Sequence, residues 1–228
     1  MKKAVYSIHN STPKKEVVKI PKAPFTTGFK PVKTLKESNE KKVYILSNGK
    51  EYRIGKITSL YNIGNDVDIF EKLSKYNLAP VIFKTDVFND EKNNEMTYTE
   101  MEKLDGTIYD LLTVPLTEKE LDIILRLVNE LLLRLYKLKI SHGDFHWENI
   151  GFTYDDKKDC ITLKMIDFEF AENKSDFRKE VVQLIRTIDK KYTPLVSETN
   201  RAYISKRLIS YYKNNFGEYK DIEEEYKK

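Results

Sequence analysis

The segment SHGDFHWENIGF, Ser141 to Phe152, places two of the chain's three histidines beside an Asp, a Glu, an Asn and the only Trp. Asp144 and Asn149 are separated by four residues, and Asp167 follows eighteen residues later at the end of an apolar stretch, MIDFE. Two carboxylates and an amide around a hairpin suit a magnesium-nucleotide site, because Mg²⁺ prefers hard oxygen ligands and phosphoryl transfer needs a base near the attacking hydroxyl. The pattern therefore predicts a site of this kind around Asp144.

The first half of the chain must position this site mainly with strands. KKVYILSNGKEYRIGKI contains Asn-Gly between alternating residues, which predicts a hairpin with strands at about 42–47 and 50–57. GNDVDIFEKLSKYNLAP predicts a short helix ending before Pro80, and PVIFKTDVF and MTYTEME predict two further strands. Residues 1–30 show no sustained period, so we expect a partly flexible N-terminal arm or one laid over the surface.

The second half is predicted to be mainly helical. Thr117 and Glu120 form a capping box, and the apolar run after it predicts a central helix of about 22 residues. GFTYDD and CITLKMIDF predict a β-hairpin, and DFRKEVVQLIRTI and NRAYISKRLISYYKNNF predict two more helices. A β-rich half followed by a helical half indicates an α+β fold of two lobes, with boundaries expected at 31–101 and 102–228.

Charge and cysteine content exclude several classes. The net charge is +4 from 40 basic and 36 acidic residues of interspersed sign, so we expect no nucleic-acid groove. Cys160 is the only cysteine, which excludes an intramolecular disulfide and a cysteine metal cluster. The basic start has no apolar core and no bilayer-length apolar run occurs, so we expect no membrane partner and a cytoplasmic location, meaning host cytoplasm for a viral or effector protein.

HGD-x4-N, followed by an apolar run and IDF, resembles the catalytic loop and metal-binding motif of the protein-kinase-like superfamily, whose usual forms are HRD-x4-N and DFG. The resemblance implies a bilobal fold with a small β-rich N-lobe and a reduced helical C-lobe, and a phosphotransferase that uses ATP and Mg²⁺. It makes Asp144 the catalytic Asp that orients or deprotonates the acceptor hydroxyl. It makes Asn149 and Asp167 the ligands of Mg²⁺.

The resemblance also extends upstream. MTYTEMEKLDG is similar to a kinase hinge, which implies that backbone groups near Glu102 and Leu104 bind the adenine edge. Lys56 in YRIGKI resembles the Lys of VAIK that reaches the α- and β-phosphates, and Lys50 is the rival next to the turn.

Two upstream parts depart from the family pattern. The helix acid that pairs with the strand Lys is best matched by Asp66 in place of the usual Glu, with Asp68 or Glu71 as alternatives. LKESNEKKV has the spacing of the glycine-rich loop, yet Lys36, Ser38 and Lys41 stand where glycines are usual. The lysines either act as counter-charges for the phosphates or form a solvated basic turn.

Three departures bear on the substrate and on control. Gly143 replaces the Arg of HRD, and the segment after Asp167 is too short for a full activation segment, so control by loop phosphorylation is not expected. His146 stands where Ser/Thr kinases usually have Lys and is a candidate for contact with the γ-phosphate; HGDFH and IDFE look similar to aminoglycoside and choline phosphotransferases. Glu169 stands in place of the Gly of DFG.

The expected function is a minimal, constitutively active Ser/Thr protein kinase acting on a protein substrate. The chain lacks room for the helical insertions that build a small-molecule acceptor pocket, which weighs against the alternative of a small-molecule kinase. A pseudokinase that acts as a binding module is the second alternative, because the glycines are absent. The sequence does not predict an oligomeric state.

Overall fold

The structure, a computed structural model, describes residues 2, 4, 5, 23–38, 41–59, 66–174, 177–190 and 196–216. The chain forms two compact units, one of Thr12–Leu104 and the other of Asp105–Lys228 with Met1–Ser11. The first unit is rich in β-strands and the second is mainly helical. The predicted α+β class is therefore confirmed.

The first unit is built on a five-stranded antiparallel sheet with the strand order β1-β2-β3-β5-β4. The strands are β1 Lys30–Glu37, β2 Lys41–Ser47, β3 Tyr52–Ser59, β4 Ile82–Asn89 and β5 Glu95–Glu102. Helix α1, Asp66–Lys75, stands between β3 and β4 in the sequence. Alternation of side chains along the central strands gives the sheet one face that carries its core.

This core face is covered by the chain that enters the unit. Its buried residues are Phe29, Tyr44, Leu46, Ile57, Met96 and Tyr98. Ala23 and Phe25 pack against them, and the Phe25 ring meets Tyr98 edge to face with centroids 5.4 Å apart. The described end of the predicted N-terminal arm therefore lies over this sheet.

A buried carboxylate fixes that covering segment. Glu100 is fully buried and accepts hydrogen bonds from Arg53 Nη1 at 2.8 Å, the Tyr98 hydroxyl at 2.7 Å and the Thr26 N–H at 3.3 Å. The Arg53 guanidinium also stacks on the ring of Phe29, 4.2 Å from its centroid. Because a buried carboxylate needs a paired charge and donors, this cluster joins β3, β5 and residues 26–29.

The second unit combines a small sheet with helices. Residues 2, 4 and 5 are helical, and four further helices lie in the described part of Asp105–Lys228. Its strands are β6 Gly106–Thr107, β7 Ile150–Asp155 and β8 Cys160–Met165, in the order β6-β7-β8. Its helices are α2 Ile108–Leu112, α3 Glu118–Lys137, α4 Phe177–Lys190 and α5 Glu198–Phe216, with a 3-10 turn at Trp147–Asn149. Helix α3 begins at the predicted capping box, and seven of its apolar side chains are buried along one side.

The structure differs from the sequence prediction at a few element boundaries. Strand β3 begins at Tyr52 and not at about residue 50, because Asn48 Oδ1 accepts hydrogen bonds from the N–H groups of Lys50 and Glu51 and extends the turn. Strand β1 and helix α2 were not predicted. Within the described residues, no helix is long and apolar enough to cross a lipid bilayer.

Candidate active site

The segment Ser141–Asn149 follows helix α3 and forms a loop, which we call the catalytic loop. It begins with an antiparallel bridge, in which Ser141 N–H donates to Glu172 O at 3.0 Å and Glu172 N–H donates to Ser141 O at 2.9 Å. It ends in the 3-10 turn that leads directly into β7. The loop is therefore held between the entrance of β7 and the segment that follows β8.

Helix α4 holds the start of this loop with one carboxylate oxygen. Glu180 Oε1 accepts from Ser141 Oγ at 2.5 Å, from His142 N–H at 2.7 Å and from Gly143 N–H at 3.0 Å. Glu180 is 2% exposed, and burial raises the pKa of its carboxyl group. Its Oε2 is buried without a hydrogen-bond partner in the described part of the chain. The backbone geometry of the loop therefore depends on a residue of a distant helix.

Two further contacts from the same helix hold the middle of the loop. Gln183 Oε1 accepts from the Phe145 N–H at 3.0 Å. Trp147 Nε1 donates to the carbonyl oxygen of Leu184 at 2.9 Å. Phe145 and Trp147 are both fully buried, so they anchor the loop by packing as well as by hydrogen bonds.

The Asp144 carboxylate is fixed at both oxygens. Gln183 Nε2 donates to Oδ1 at 2.7 Å, and Asn149 Nδ2 donates to Oδ2 at 3.2 Å and to the Asp144 carbonyl at 3.0 Å. His146 Nε2 lies 3.3 Å from Oδ2. The Asp144 side chain nevertheless remains 36% exposed, so an oriented carboxylate is presented to solvent.

His142 connects the loop to the end of β8 and is a neutral structural residue. Its Nε2 hydrogen-bonds to the carbonyl oxygen of Ile166 at 2.9 Å, and its Nδ1 accepts from the Asp144 N–H at 3.3 Å. Because a carbonyl only accepts, the proton lies on Nε2. Burial lowers the pKa of His142 to about 4, and the ring is 1% exposed.

Asp167 follows β8 beside Asn149. The Ile166 N–H donates to the Asn149 carbonyl at 3.0 Å, which extends the β7–β8 ladder by one step and brings the two predicted metal ligands to the same edge. Asp167 has a φ of 66°, in the left-handed region that costs a non-glycine residue about 1–2 kcal/mol. Strain of this kind is concentrated at functional sites.

Asn149 and Asp167 carry oxygen atoms of the kind that Mg²⁺ prefers as ligands. Among the described residues, no group of three or more His, Cys, Asp and Glu side chains could hold a metal. Mg²⁺ does not require such a cage, because it keeps several waters and binds through one or two protein ligands plus substrate phosphates. Since Asn149 Nδ2 faces Asp144, the amide oxygen is the group available to a cation.

Gly143 is required by the segment that follows Asp167. Its φ is 77°, and a Cβ atom on it would lie 2.2 Å from the Phe170 carbonyl oxygen. No side chain fits there, so this position requires glycine. The backbone of Phe170 is packed against the catalytic loop instead.

In the first unit, Lys56 lies in the central strand β3. It pairs with Val43 of β2 and Thr99 of β5, so these three side chains share the face opposite to the core, and Lys56 is half-buried. Lys50, the rival, lies in the hairpin turn and is exposed. Of these two lysines, Lys56 is the one that lies within a strand.

The three candidates for the helix acid all lie in helix α1. Asp66 is the first residue of α1, and its side chain lies outside the part that the structure describes. Asp68 and Glu71 lie on the exposed side of α1.

The residues predicted to form the hinge, Glu102 and Leu104, lie at the end of strand β5 and just after it. The Glu102 N–H donates to the Val81 carbonyl at 2.8 Å, and Glu102 Oε2 accepts from the Val81 N–H at 3.0 Å. Lys103 Nζ donates to the Leu104 carbonyl at 3.1 Å. These contacts use the Glu102 N–H and the Leu104 carbonyl.

The predicted phosphate loop is a β-hairpin. Lys36 lies in β1 opposite Val43 and is exposed. Ser38 closes the turn, since its N–H donates to the Lys41 carbonyl at 2.9 Å and its Oγ accepts from the Lys41 N–H at 3.0 Å. Residues 39 and 40, at the tip, lie outside the described residues.

No protein-family model and no curated protein matches the chain. Solved structures do match, and one of them is the kinase PK-1 of Cydia pomonella granulovirus, with 21% sequence identity and a TM-score of 0.48. That match covers 64% of this chain and 55% of the viral kinase chain.

Glu180 and Gln183, which hold the catalytic loop, were not predicted from the sequence. Both lie in a helix whose other inward side chains are apolar, including Val181, Leu184 and Ile185. A Glu and a Gln three residues apart lie on the same side of a helix. On an otherwise apolar side they predict hydrogen bonds to another buried segment, because buried polar side chains must be hydrogen-bonded.

Proposed function

We propose that the chain is a phosphotransferase that uses ATP and Mg²⁺ and transfers phosphate to Ser or Thr of a protein. The observation that carries this proposal is the Asp144 carboxylate, which is hydrogen-bonded at both oxygens, partly exposed, and next to the Asn149 amide. Such an arrangement suits a group that must meet an acceptor hydroxyl in one fixed direction.

The second unit supplies the chemistry in this proposal. Asp144 orients the acceptor hydroxyl and accepts its proton as phosphate is transferred. The Asn149 amide oxygen and the Asp167 carboxylate hold Mg²⁺, which neutralises phosphate charge when bound. His146, 3.3 Å from Asp144 Oδ2, faces the transferred phosphoryl group.

The first unit binds the nucleotide in this proposal. Lys56 contacts the α- and β-phosphates with Asp66 as its acidic partner. The backbone of Glu102 and Leu104 contacts the adenine edge. Lys36 and Ser38 are placed near phosphate and contribute weakly, because Lys36 is exposed and its charge is screened by salt.

Constitutive activity follows from the segment after Asp167. The Ser141–Glu172 bridge and the packing of Phe170 on Gly143 already fix this segment without a phosphate group. Gly143 also removes the Arg that receives a loop phosphate in the family. We therefore propose that no activating phosphorylation is needed.

A pseudokinase is the second candidate, and the hairpin Leu35–Val43 favours it. Phosphate-binding loops use glycines because the backbone must approach the phosphates closely, and Lys36 and Ser38 carry side chains instead. A chain of this second kind binds a partner without transferring phosphate.

The test is phosphate transfer from γ-labelled ATP in the presence of Mg²⁺, with Ser, Thr and Tyr peptide pools and a panel of small-molecule alcohols as acceptors. We expect label on Ser and Thr peptides, and loss of labelling in Asp144→Asn and Asp167→Asn. Asp86→Asn, which removes a partly exposed carboxylate of β4 that lies 3.5 Å from Lys84 Nζ, is the matched control and keeps full activity. Labelling of small molecules alone favours the small-molecule kinase. Labelling that is equal in all variants, or absent from all, overturns the proposal.

A further inference from the structure

Gln183 meets the catalytic loop at two points with one carboxamide group. Its Oε1 accepts from the Phe145 N–H at 3.0 Å, and its Nε2 donates to Asp144 Oδ1 at 2.7 Å. Because a backbone N–H can only donate, Phe145 fixes the amide with its oxygen toward the loop backbone. The NH₂ group is then directed at the Asp144 carboxylate.

We propose that Gln183 is a positioning residue for phosphate transfer, which holds the Asp144 carboxylate in the orientation that receives the acceptor hydroxyl. This inference rests on the proposed function of Asp144. It assigns to helix α4 a direct part in the reaction geometry, beyond packing against the loop.

The two hydrogen bonds on Asp144 do different work. Asn149 Nδ2 contacts Oδ2 at 3.2 Å and Gln183 Nε2 contacts Oδ1 at 2.7 Å, so rotation about the Cβ–Cγ bond of Asp144 breaks both. Asn149 belongs to the proposed metal site, whose occupancy changes during a reaction cycle. Gln183 has no such second role, so it fixes the carboxylate in every state of the site.

Gln183 is itself held rigidly. One turn before it, Glu180 binds the start of the loop, and the adjacent Leu184 carbonyl accepts from Trp147. A neutral amide on a helix fixed in this way is a stable donor, because it neither gains nor loses a proton near neutral pH.

The kinetic test compares Gln183→Met, Gln183→Glu and the control Thr187→Val, which lies one turn along the same helix. Met keeps the size of the side chain without its donor, so kcat should fall about 10-fold or more while the KM for ATP stays within about 2-fold, as expected for loss of a hydrogen bond to a charged group. Glu still accepts from Phe145 but sets a carboxylate against Asp144, so kcat should fall further. Thr187→Val should keep the kcat of the wild type.

A purely structural Gln183 gives a different result. If only its contact with the Phe145 N–H matters, Gln183→Glu keeps the wild-type kcat and Gln183→Met alone is impaired. That pattern, or wild-type kcat in both variants of an active protein, overturns the inference and leaves the proposed function intact. An inactive wild type overturns the proposed function and the transfer role of Gln183 with it.

A second experiment tests the contact between Gln183 and Asp144 by NMR and does not require the protein to be active. Gln183 is the only glutamine in the chain, so selective ¹⁵N-glutamine labelling gives a single pair of side-chain amide protons. We expect the hydrogen-bonded proton to be shifted downfield and protected from exchange in the wild type, and to lose both properties in Asp144→Ala. Amide protons that are the same in the two proteins overturn the contact and the inference.

Discussion

The catalytic loop Ser141–Asn149 and the hairpin Leu35–Val43 are the two segments that the family resemblance assigns to transfer and to phosphate binding, and they are stabilised in different ways. The loop is held by side chains of helix α4, through Glu180, Gln183 and the Leu184 carbonyl. The hairpin turn is closed by hydrogen bonds between Ser38 and Lys41, and an exposed Lys42–Glu37 ion pair of 3.0 Å lies beside it.

The two segments differ in the kind of contact that fixes their backbone geometry. Tertiary contacts with buried groups fix the loop, so single changes there remove hydrogen bonds that cannot be replaced by water. Local contacts near solvent fix the hairpin, where ion pairs and turns contribute little free energy each. Changes in the loop should therefore have much larger effects than changes of similar size in the hairpin.

The largest effect is expected at Asp144. Asp144→Asn keeps the shape of the side chain but removes the base, so the transfer rate should fall roughly 10³-fold, within the range for loss of a general base. The Kd for Mg-ATP, measured by calorimetry, should change little. A variant that keeps more than about a tenth of the wild-type rate contradicts the assignment of Asp144 as the base.

The next largest effect, on stability, is expected at Gly143, and Gly49 is compared with it because both have a left-handed backbone conformation. Gly143, at φ 77°, has no room for a Cβ, whereas Gly49, at φ 88°, has no atom within 4 Å of that position. Gly49→Ala should lower the free energy of unfolding by only about 1–2 kcal/mol, which is the cost of placing a Cβ atom on a left-handed backbone. Gly143→Ala should lower the free energy of unfolding by about 3–4 kcal/mol, because the clash with Phe170 adds to the cost of the left-handed backbone.

Urea unfolding measures both costs, and the single tryptophan, Trp147, reports on the loop by fluorescence. Equal free energies of unfolding for the two alanine variants would show that the Phe170 segment does not pack on the loop.

A third prediction concerns pH. The pKa of His142 is lowered from 6.5 to about 4 by burial, so the folded state disfavours the protonated ring. Stability is then highest above pH 6.5 and is lost as the pH falls from 6.5 toward 4, by roughly 3 kcal/mol in total. Urea unfolding of the wild type and of His142→Asn at several pH values measures this loss. A difference between the two proteins that does not change with pH contradicts the buried neutral ring.

The smallest effect is expected in the hairpin. The double variant Lys36→Ala with Ser38→Ala should raise the KM for ATP by less than about 3-fold, because exposed charges are screened by salt. A rise above 10-fold would show that these side chains replace the missing glycines as phosphate ligands, and the contrast between loop and hairpin would then be wrong for function.

The parts of the molecule that the sequence predicted are those with local signals. Asn48-Gly49 predicted a hairpin and Thr117 with Glu120 predicted the start of α3, because turn and capping chemistry lies within a few residues. Strand β1 was missed because Lys30–Glu37 is mostly polar and partly exposed, so it shows little alternation.

The candidate site shows the same division. The loop motif predicted Asp144, Asn149 and Asp167 as site residues, and this stays a prediction. It did not predict which side chains hold the loop in place. Glu180 and Gln183 are distant in sequence from Asp144, and their roles exist only once α4 packs on the loop. For the proposed acidic partner of Lys56 the sequence favours Asp66 but leaves Asp68 and Glu71 as alternatives, because all three are carboxylates within one short helix.

The most direct test of the central claim is the thermal stability of the wild type, Asp167→Asn and Asp144→Asn with ATP, with Mg²⁺, and with both together. If Asp167 and Asn149 form a magnesium-nucleotide site, Mg-ATP at 100 times its Kd should stabilise the wild type by about 2.7 kcal/mol, well above ATP alone. Asp144→Asn should keep this stabilisation and Asp167→Asn should lose it. No magnesium-dependent stabilisation of the wild type, or equal stabilisation of Asp167→Asn, would contradict the account.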